Sequence, residues 1–483
     1  MPRQNVPLSF LGKHPLTVTN ENKIMNTSRI AISSSSASSS AFVVKVSLVA
    51  ALGGLLFGYD TAVIAGVIGY LQKRFELSPI MTGWAASSAI WGCAFGAMMA
   101  GYLSDRFGRK KVLILTAVLF IISSLGAMIP TNLTQFLIAR FIGGLGIGAA
   151  SMLSPLYISE IAPSRSRGRL VSLYQLAIVI GINLIYFVNL LIASYGDEAW
   201  NVETGWRYML GSGTIPAVLF LLLLFIVPES PRWLVKKGKD DEAFDTLEKV
   251  NGTAEGENVL NEIKETLGQE VGTLSDLFSR RLRPALVIGI VLALFSQITG
   301  INAIIYYAPE IFKSVGFASD SALLQTVLIG AINTLFTFVA LWLIDRAGRK
   351  TLLQWGVAGM VVCLFAVGVC FHYNLTSGPW LILFILAYIA FFASSLGPIP
   401  WVLISEIFPT RTRGIAMSFC TVILWVGVLA ITQFTPWLLE NAGGASTFWI
   451  FMLNAIVLLW FVWKRAPETK QRTLEEIEQS WKR

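Results

Sequence analysis

Along this chain, stretches of roughly 20 mostly apolar residues alternate with short polar connections. Twelve can be marked, at about 42 to 70, 82 to 103, 112 to 130, 134 to 157, 168 to 192, 207 to 227, 284 to 313, 322 to 343, 351 to 373, 379 to 404, 414 to 438 and 446 to 464. Each is long enough to cross about 30 Å of hydrocarbon as a helix. A membrane barrel would instead show segments of about ten residues with alternating polarity, so the pattern predicts helices. Charge sorts the connections between them. Lys and Arg fill alternate ones, at 106 to 111, 165 to 169, 232 to 283, 346 to 350, 411 to 413 and after Trp463. Of Lys and Arg, the opposite set holds only Lys73, Arg74 and Lys313, and it carries the acidic patch Asp197, Glu198 and Glu203. By the positive-inside rule, the basic connections and both termini are expected in the cytoplasm, and the chain is expected to be a multi-pass protein of the plasma membrane, or of the inner membrane in a bacterium.

Composition narrows the picture. The chain has 483 residues, of which 54% are hydrophobic and 14% charged, against about 25% charged in soluble domains. Its net charge of +8 is spread between spans rather than over one folded face, so no nucleic-acid partner is expected. Cys93, Cys363, Cys370 and Cys420 all lie inside apolar runs, and His14 and His372 stand apart from one another. Neither a disulfide framework nor a metal site is expected, and no cofactor. No span carries a paired nucleophile and base or a phosphate loop, so no catalytic residues are named and an enzyme is not expected. The first 40 residues are polar, with "SSSSASSS" at 33 to 40, and lack the apolar core of a secretory signal.

The chain is also written twice. "DRFGRK" at 105 to 110 returns as "DRAGRK" at 345 to 350, and "SEIAPSRSRG" at 159 to 168 returns as "SEIFPTRTRG" at 405 to 414. "PESPRW" at 228 to 233 is echoed by "PETK" at 467 to 470. Three motifs in one order at nearly one spacing make two halves of six spans each. The predicted fold is an all-α membrane protein with twelve transmembrane helices in two parallel six-helix halves, the architecture of many secondary transporters. The divisions are a disordered cytoplasmic tail at 1–41, an N-terminal half at 42–227, linker helices on the cytoplasmic side at 228–283, a C-terminal half at 284–464 and a second cytoplasmic tail at 465–483.

The repeated motifs place acids as well as bases at the cytoplasmic helix ends. Asp105, Arg109, Glu160, Arg167, Glu229 and Arg232 belong to the first half, and Asp345, Arg349, Glu406 and Arg413 to the second. Topology alone asks only for bases there. The recurring acids are therefore expected to form a charge network that latches the halves together while the other side is open.

Asp60 stands in the middle of the first apolar run, in "GGLLFGYDTAVIAG". An ionisable group at that depth costs about 2.5 to 3.5 kcal/mol on insertion scales and marks a functional site by default. Its expected partner is Arg140, just ahead of a glycine series that would let helices pack closely. Hydrocarbon disfavours a carboxylate and a guanidinium favours it, so a change in the Arg140 distance would switch the site between loading and releasing a proton.

The motifs "RFIGGLGIG" at 140 to 148, "PESPRW", "QITGINAIIYYAPEIF" at 297 to 312, "GPIPW" at 397 to 401 and "PETK", together with "GRK" after the second and eighth spans, are jointly specific. Taken in this order they resemble the sugar porter family of the major facilitator superfamily, over residues 44 to 481. Within that family the likeness is to the bacterial proton-coupled xylose and hexose symporters. The resemblance implies import of a monosaccharide, pentose or hexose, with a proton by alternating access, in a lipid bilayer and as a monomer. It places Asp60 at the proton-carrying position. It assigns substrate contacts to Gln175, Gln297, Asn302, Asn333, Gly397 and Trp401, and cavity lining or gating to Phe57, Tyr306, Tyr307 and Trp425. Amides that donate and accept, with an aromatic for the ring face, are also what a sugar requires chemically.

In a straight helix Gln297 and Asn302 would stand about 140° apart, and Gly300 offers a place to unwind and bring them together. Ser296 replaces the first of two adjacent glutamines usual in the family, and Leu424 and Ile182 also stand where glutamines are expected, which loosens the link to any one sugar. Two alternatives stay open: a proton-independent facilitator with Asp60 locked to Arg140, and a sugar sensor, which would be expected to carry a longer tail than the one ending at Arg483.

Overall fold

In the computed structural model the described residues are 21–163, 166–267, 273–314, 316, 318–375 and 379–470. Side chains are described from 41 onward, and those of 266, 267, 314, 319, 320, 345 and 410 lie outside the description. Among the described residues every regular element is a helix.

The N-terminal half contains α1 (Glu21–Arg74), α2 (Pro79–Phe107), α3 (Arg109–Gly126), α4 (Leu133–Ile161) and α5 (Arg167–Ala193). Its sixth run, Glu198–Leu224, is built from α6 (Glu198–Trp200), a π-helical turn at Asn201–Gly205, α7 (Trp206–Gly211) and α8 (Thr214–Leu224). Four short helices follow: α9 (Pro231–Lys236), α10 (Asp240–Asn251), α11 (Thr253–Leu267) and α12 (Leu274–Leu277). Leu234, Ala243, Leu247 and Leu260 give the first three a small core of their own. The C-terminal half has α13 (Arg283–Ile298), α14 (Ile301–Ser314), α15 (Ser319–Ala347), α16 (Arg349–His372), α17 (Pro379–Ser394), α18 (Ile399–Ile407), α19 (Thr410–Asn441) and α20 (Gly443–Arg465). The described part of the expected first tail is continuous with α1, whose membrane-length apolar part begins at Ala41, so the boundary at 41 marks a change of composition within a helix.

Helix starts follow local chemistry. Ser78 accepts the Met81 N–H at 3.4 Å ahead of Pro79, and Asn132 accepts the Gln135 N–H at 3.0 Å, each satisfying an otherwise orphaned donor. Ten helical segments among the described residues are long and apolar enough to cross a membrane. Of the twelve expected stretches, those at 82 to 103 and 112 to 130 fall short of that measure. The helix α2 is built largely from Gly, Ala and Ser, and the 18-residue α3 opens on Arg109, Lys110 and Lys111.

Small residues set the packing inside the N-terminal half. A Cβ on Gly144 of α4 would run into the Ala89 carbonyl of α2, and one on Gly181 of α5 into the Leu55 carbonyl of α1. Backbones thus approach as they do where tight packing drives helix association in lipid. Across the halves, α2 packs on α19, α5 on α15 and α1 on α14. These contacts carry hydrogen bonds: Ser87 donates to Gln433 Oε1 at 2.7 Å, Gln433 Nε2 to the Ile80 carbonyl at 3.2 Å, and Tyr186 Oη to the Ile305 carbonyl at 2.6 Å.

Candidate functional site

Asp60 and Arg140 meet in the interior. Arg140 Nη1 donates to Asp60 Oδ1 at 2.8 Å and Nη2 to the Asp60 carbonyl at 2.8 Å, with 3% of the arginine side chain and 8% of the aspartate side chain exposed. The guanidinium therefore grips both side chain and backbone of α1, which fixes its orientation as a single contact would not. Asp60 Oδ2 and Arg140 Nε find no hydrogen-bond partner among the described residues. Tyr306, reaching in from α14 of the other half, is close enough to interact electrostatically with both members of the pair.

The seventh apolar run is broken between α13 and α14, where Gly300 has φ +97°. An L side chain rarely adopts that conformation, and a Cβ there would also meet the Phe451 ring. The break brings the amides together: Asn302 Nδ2 donates to Gln297 Oε1 at 2.8 Å, and Gln297 Nε2 to Ser296 Oγ at 2.9 Å. Ser296 in turn donates to the Ala293 carbonyl at 2.9 Å. Carbonyls freed by the break are taken by distant side chains, Ile298 by Asn454 Nδ2 at 3.0 Å and Thr299 by Tyr388 Oη at 3.1 Å. Sequence reasoning missed those two residues. A polar group inside an apolar run was the available signal, but nothing local says which carbonyl it serves.

Phe57 of α1 and Trp425 of α19 bridge the halves, their ring centroids 5.5 Å apart. Tyr307 donates to the Thr432 carbonyl at 2.7 Å. The half-buried Gln175 of α5 and the buried Asn333 of α15 lie on two helices that pack together, while Gly397 sits in the turn between α17 and α18 and Trp401 on α18. None of these four joins the Ser296–Gln297–Asn302 hydrogen-bond chain among the described contacts. Leu424 and Ile182 are buried, as apolar replacements for amides would be.

At the basic ends the two halves carry one arrangement twice. Arg109 donates to Glu160 at 2.9 Å and to Asp105 at 3.0 Å, and Arg349 donates to Glu406 at 3.2 Å. Ser230 donates to Glu160 and Thr469 to Glu406, both at 2.5 Å. The Glu229 carboxylate caps the start of α3 by accepting the Arg109 and Lys110 N–H groups at 2.9 and 3.1 Å, and Glu468 does the same for Arg349 and Lys350, both at 3.1 Å. Carboxylates at helix N-termini are stabilised by the helix dipole. Gly108 and Gly348, at φ +101° and +92°, turn the chain into these caps.

Burial raises Glu229 above the ordinary carboxylate range, and the N–H groups of Ser230, Lys110 and Arg109 only partly offset it. Burial also opposes the charge of Asp105, but Lys236 and Arg109 outweigh it and hold that carboxyl below its ordinary range.

Among the described residues no ion pair at the basic ends joins one half to the other. Arg109 and Arg349 each open the third span of their half and reach the fourth span beside it, while Lys236 ties the linker helix α9 to α2. Arg167 and Arg232 are exposed and join no described ion pair; Lys236 takes the place expected for Arg232, bridging to Asp105 at 2.9 Å. Arg413 is half-buried at the start of α19, and the Asp345 side chain lies outside the described residues. Lys236, Ser230, Glu468 and Thr469 were the members the sequence did not single out, though "PETK" held two of them.

Residues 46–481 match the family model described as sugar (and other) transporter. The chain belongs to that family. It is 47% identical over 441 residues to the arabinose-proton symporter of Bacillus subtilis, covering 91% of this chain and 95% of the relative. It is 41% identical over 476 residues to the D-xylose-proton symporter of Escherichia coli K12, covering 92% and 96%. The solved inward open conformation of the E. coli xylose transporter XylE superposes with a TM-score of 0.81 at 40% identity, covering 91% of this chain and all of that one. A multi-pass membrane transporter of the major facilitator type is thereby established.

Proposed function

We propose that this protein imports a monosaccharide, a pentose or hexose, together with a proton by alternating access between two six-span halves. The observation that carries the reading is the buried Asp60–Arg140 pair with one carboxylate oxygen unpartnered, beside an amide cluster opened by a broken helix. Family membership supports it, as do relatives named for arabinose-proton and xylose-proton symport. In this reading α2 and α3 complete twelve spans, α9 to α12 and both termini face the cytoplasm, and the protein works as a monomer in the plasma membrane, or the inner membrane of a bacterium. The hydrogen bonds of Gln433 with Ser87 and Ile80 then close the outer side, and the halves part at the basic ends. That is an inward-facing state, consistent with the likeness to the inward open XylE structure. Gln175, Gln297, Asn302, Asn333, Gly397 and Trp401 bind the sugar, and Phe57, Ser296, Tyr306, Tyr307 and Trp425 line or gate the cavity. Neither a cofactor nor catalysis of a covalent step enters the cycle.

The test is uptake of radiolabelled glucose, xylose, arabinose and galactose into proteoliposomes under an inward proton gradient, for wild type and Asp60→Asn. Accumulation by wild type that Asp60→Asn abolishes supports symport. Equal, non-concentrative uptake by both would make the pair structural and the protein a facilitator.

A further inference from the structure

Asp60 has two carboxylate oxygens with different surroundings. Oδ1 is held by Arg140 at 2.8 Å, whereas Oδ2 has no partner among the described residues. A proton therefore adds at Oδ2, since protonating Oδ1 would displace a cation. Once protonated, a buried Oδ2–H is a donor and requires an acceptor. The Ser123 hydroxyl of α3 is fully buried and also unpartnered. Both oxygens face the point where Gly143 of α4 lacks a side chain: a Cβ there would stand 3.5 Å from Asp60 Oδ2 and against Ser123 Oγ. This side of Asp60 looks into its own half, where α3 packs on α4 and α8.

Further hydroxyls lie nearby, on the α8 side of α3. The next residue, Ser124, places its Oγ 2.8 Å from the Cβ position of Gly213. Ser212, adjacent to that glycine, hydrogen-bonds Tyr59 Oη at 2.8 Å. Ser212 and Gly211 also line a pocket of 690 Å³ walled by Met128, Tyr195, Trp200 and Tyr208, at the end of the half opposite its basic connections. Ser212, Ser124 and Ser123 thus supply hydroxyl oxygens in an otherwise apolar part of the half.

We propose that Asp60 is loaded from this pocket rather than through the sugar cavity, along Ser212, Ser124 and Ser123, and that Ser123 accepts the hydrogen bond of the loaded proton. In the step, a hydronium ion from the pocket gives up one proton and becomes water. An O–H bond forms at Asp60 Oδ2, the carboxylate becomes the neutral acid, and no electrons change hands. Besides Arg140 from α4, the titratable groups facing this site are Cys93 from α2, Tyr306 from α14 and the neighbouring Tyr59. The inference rests on the symport reading above and gives it a route.

The experiment measures two quantities in the same proteoliposomes containing the full chain: sugar-coupled proton uptake with a trapped pH dye, and sugar counterflow, which needs no net proton movement. The probe is whichever of xylose, arabinose and glucose gives counterflow with wild type. Ser123→Ala is expected to move the pH midpoint of coupled uptake about one unit to the acid side, the equivalent of one hydrogen bond lost by the neutral acid. Ser212→Cys treated from outside with a membrane-impermeant thiol reagent is expected to lose about tenfold in the ratio of coupled proton uptake to counterflow. An unmoved midpoint in Ser123→Ala, or a reagent effect that lowers both activities in parallel, overturns the route while wild-type coupling leaves symport standing. Wild type without coupled proton uptake overturns the symport reading itself.

Discussion

The two halves carry the same apparatus at their basic ends and different apparatus in the membrane interior. Arg109, Glu160, Ser230 and Glu229 in the first half have Arg349, Glu406, Thr469 and Glu468 as counterparts in the second. Halfway across the membrane the correspondence ends. Gly58 and Asp60 stand 242 residues before Gly300 and Asn302, and Arg140 stands 246 residues before Leu386. One half thus has an acid and its arginine where the other has an amide and a leucine. The duplicated chemistry holds each half rigid as a moving body, which both halves need alike. The diverged chemistry is where, in the proposed cycle, the halves divide the work: a titrating group on one side of the cavity and sugar-binding amides on the other.

The largest expected effect comes from erasing that difference. Asp60→Asn makes the first half resemble the second, and accumulation driven by a proton gradient should fall at least about tenfold, to the non-concentrative level. The reverse change, Asn302→Asp, puts an acid beside Gln297 with no arginine opposite. Isothermal titration or counterflow should show sugar affinity collapsing, because a buried unpaired charge costs several kcal/mol.

A second comparison uses the shared end. Only 5% of Glu160 and 9% of Arg109 are exposed, against 23% of Glu406 and 14% of Arg349. Glu160→Gln should therefore cost about 3 kcal/mol and Glu406→Gln about 1 kcal/mol, measured by thermal unfolding in detergent. Equal costs would mean that the two networks are not distinguished by burial.

Gln297→Ala removes neutral hydrogen bonds, so sugar KM should rise roughly three- to tenfold with little change in proton coupling. A loss of coupling in that variant would break the division between the halves.

The smallest effect is in pH. The folded Glu229 carboxyl is raised above its ordinary range by burial. It binds its proton more tightly in the folded state, so its contribution is present below the ordinary carboxylate range and is lost as pH rises through the raised value. Wild type should gain on Glu229→Gln by less than about 2 °C in Tm as pH is lowered from neutral toward that range. Asp105, held low chiefly by Lys236 and Arg109 against burial, behaves oppositely: its contribution is present above the ordinary range and lost as pH falls through its lowered value.

Much of this molecule is legible in one dimension, for a physical reason. A bilayer requires every spanning segment to satisfy its own backbone and present apolar side chains, so the apolar runs and the duplication can be read locally. The break at Gly300 is equally local, since only a residue without Cβ enters that conformation cheaply. What tertiary structure alone decided are the contacts between segments far apart in sequence. The charged motifs name the acids and bases at the helix ends, but that Arg109 pairs with Glu160 and Arg349 with Glu406 is seen only in the fold. The carbonyls freed at the break are satisfied by Tyr388 and Asn454, 89 and 156 residues away. The placing of Ser123 beside the open oxygen of Asp60 depends on the packing of three helices at Gly143. No periodicity in any one of them records it.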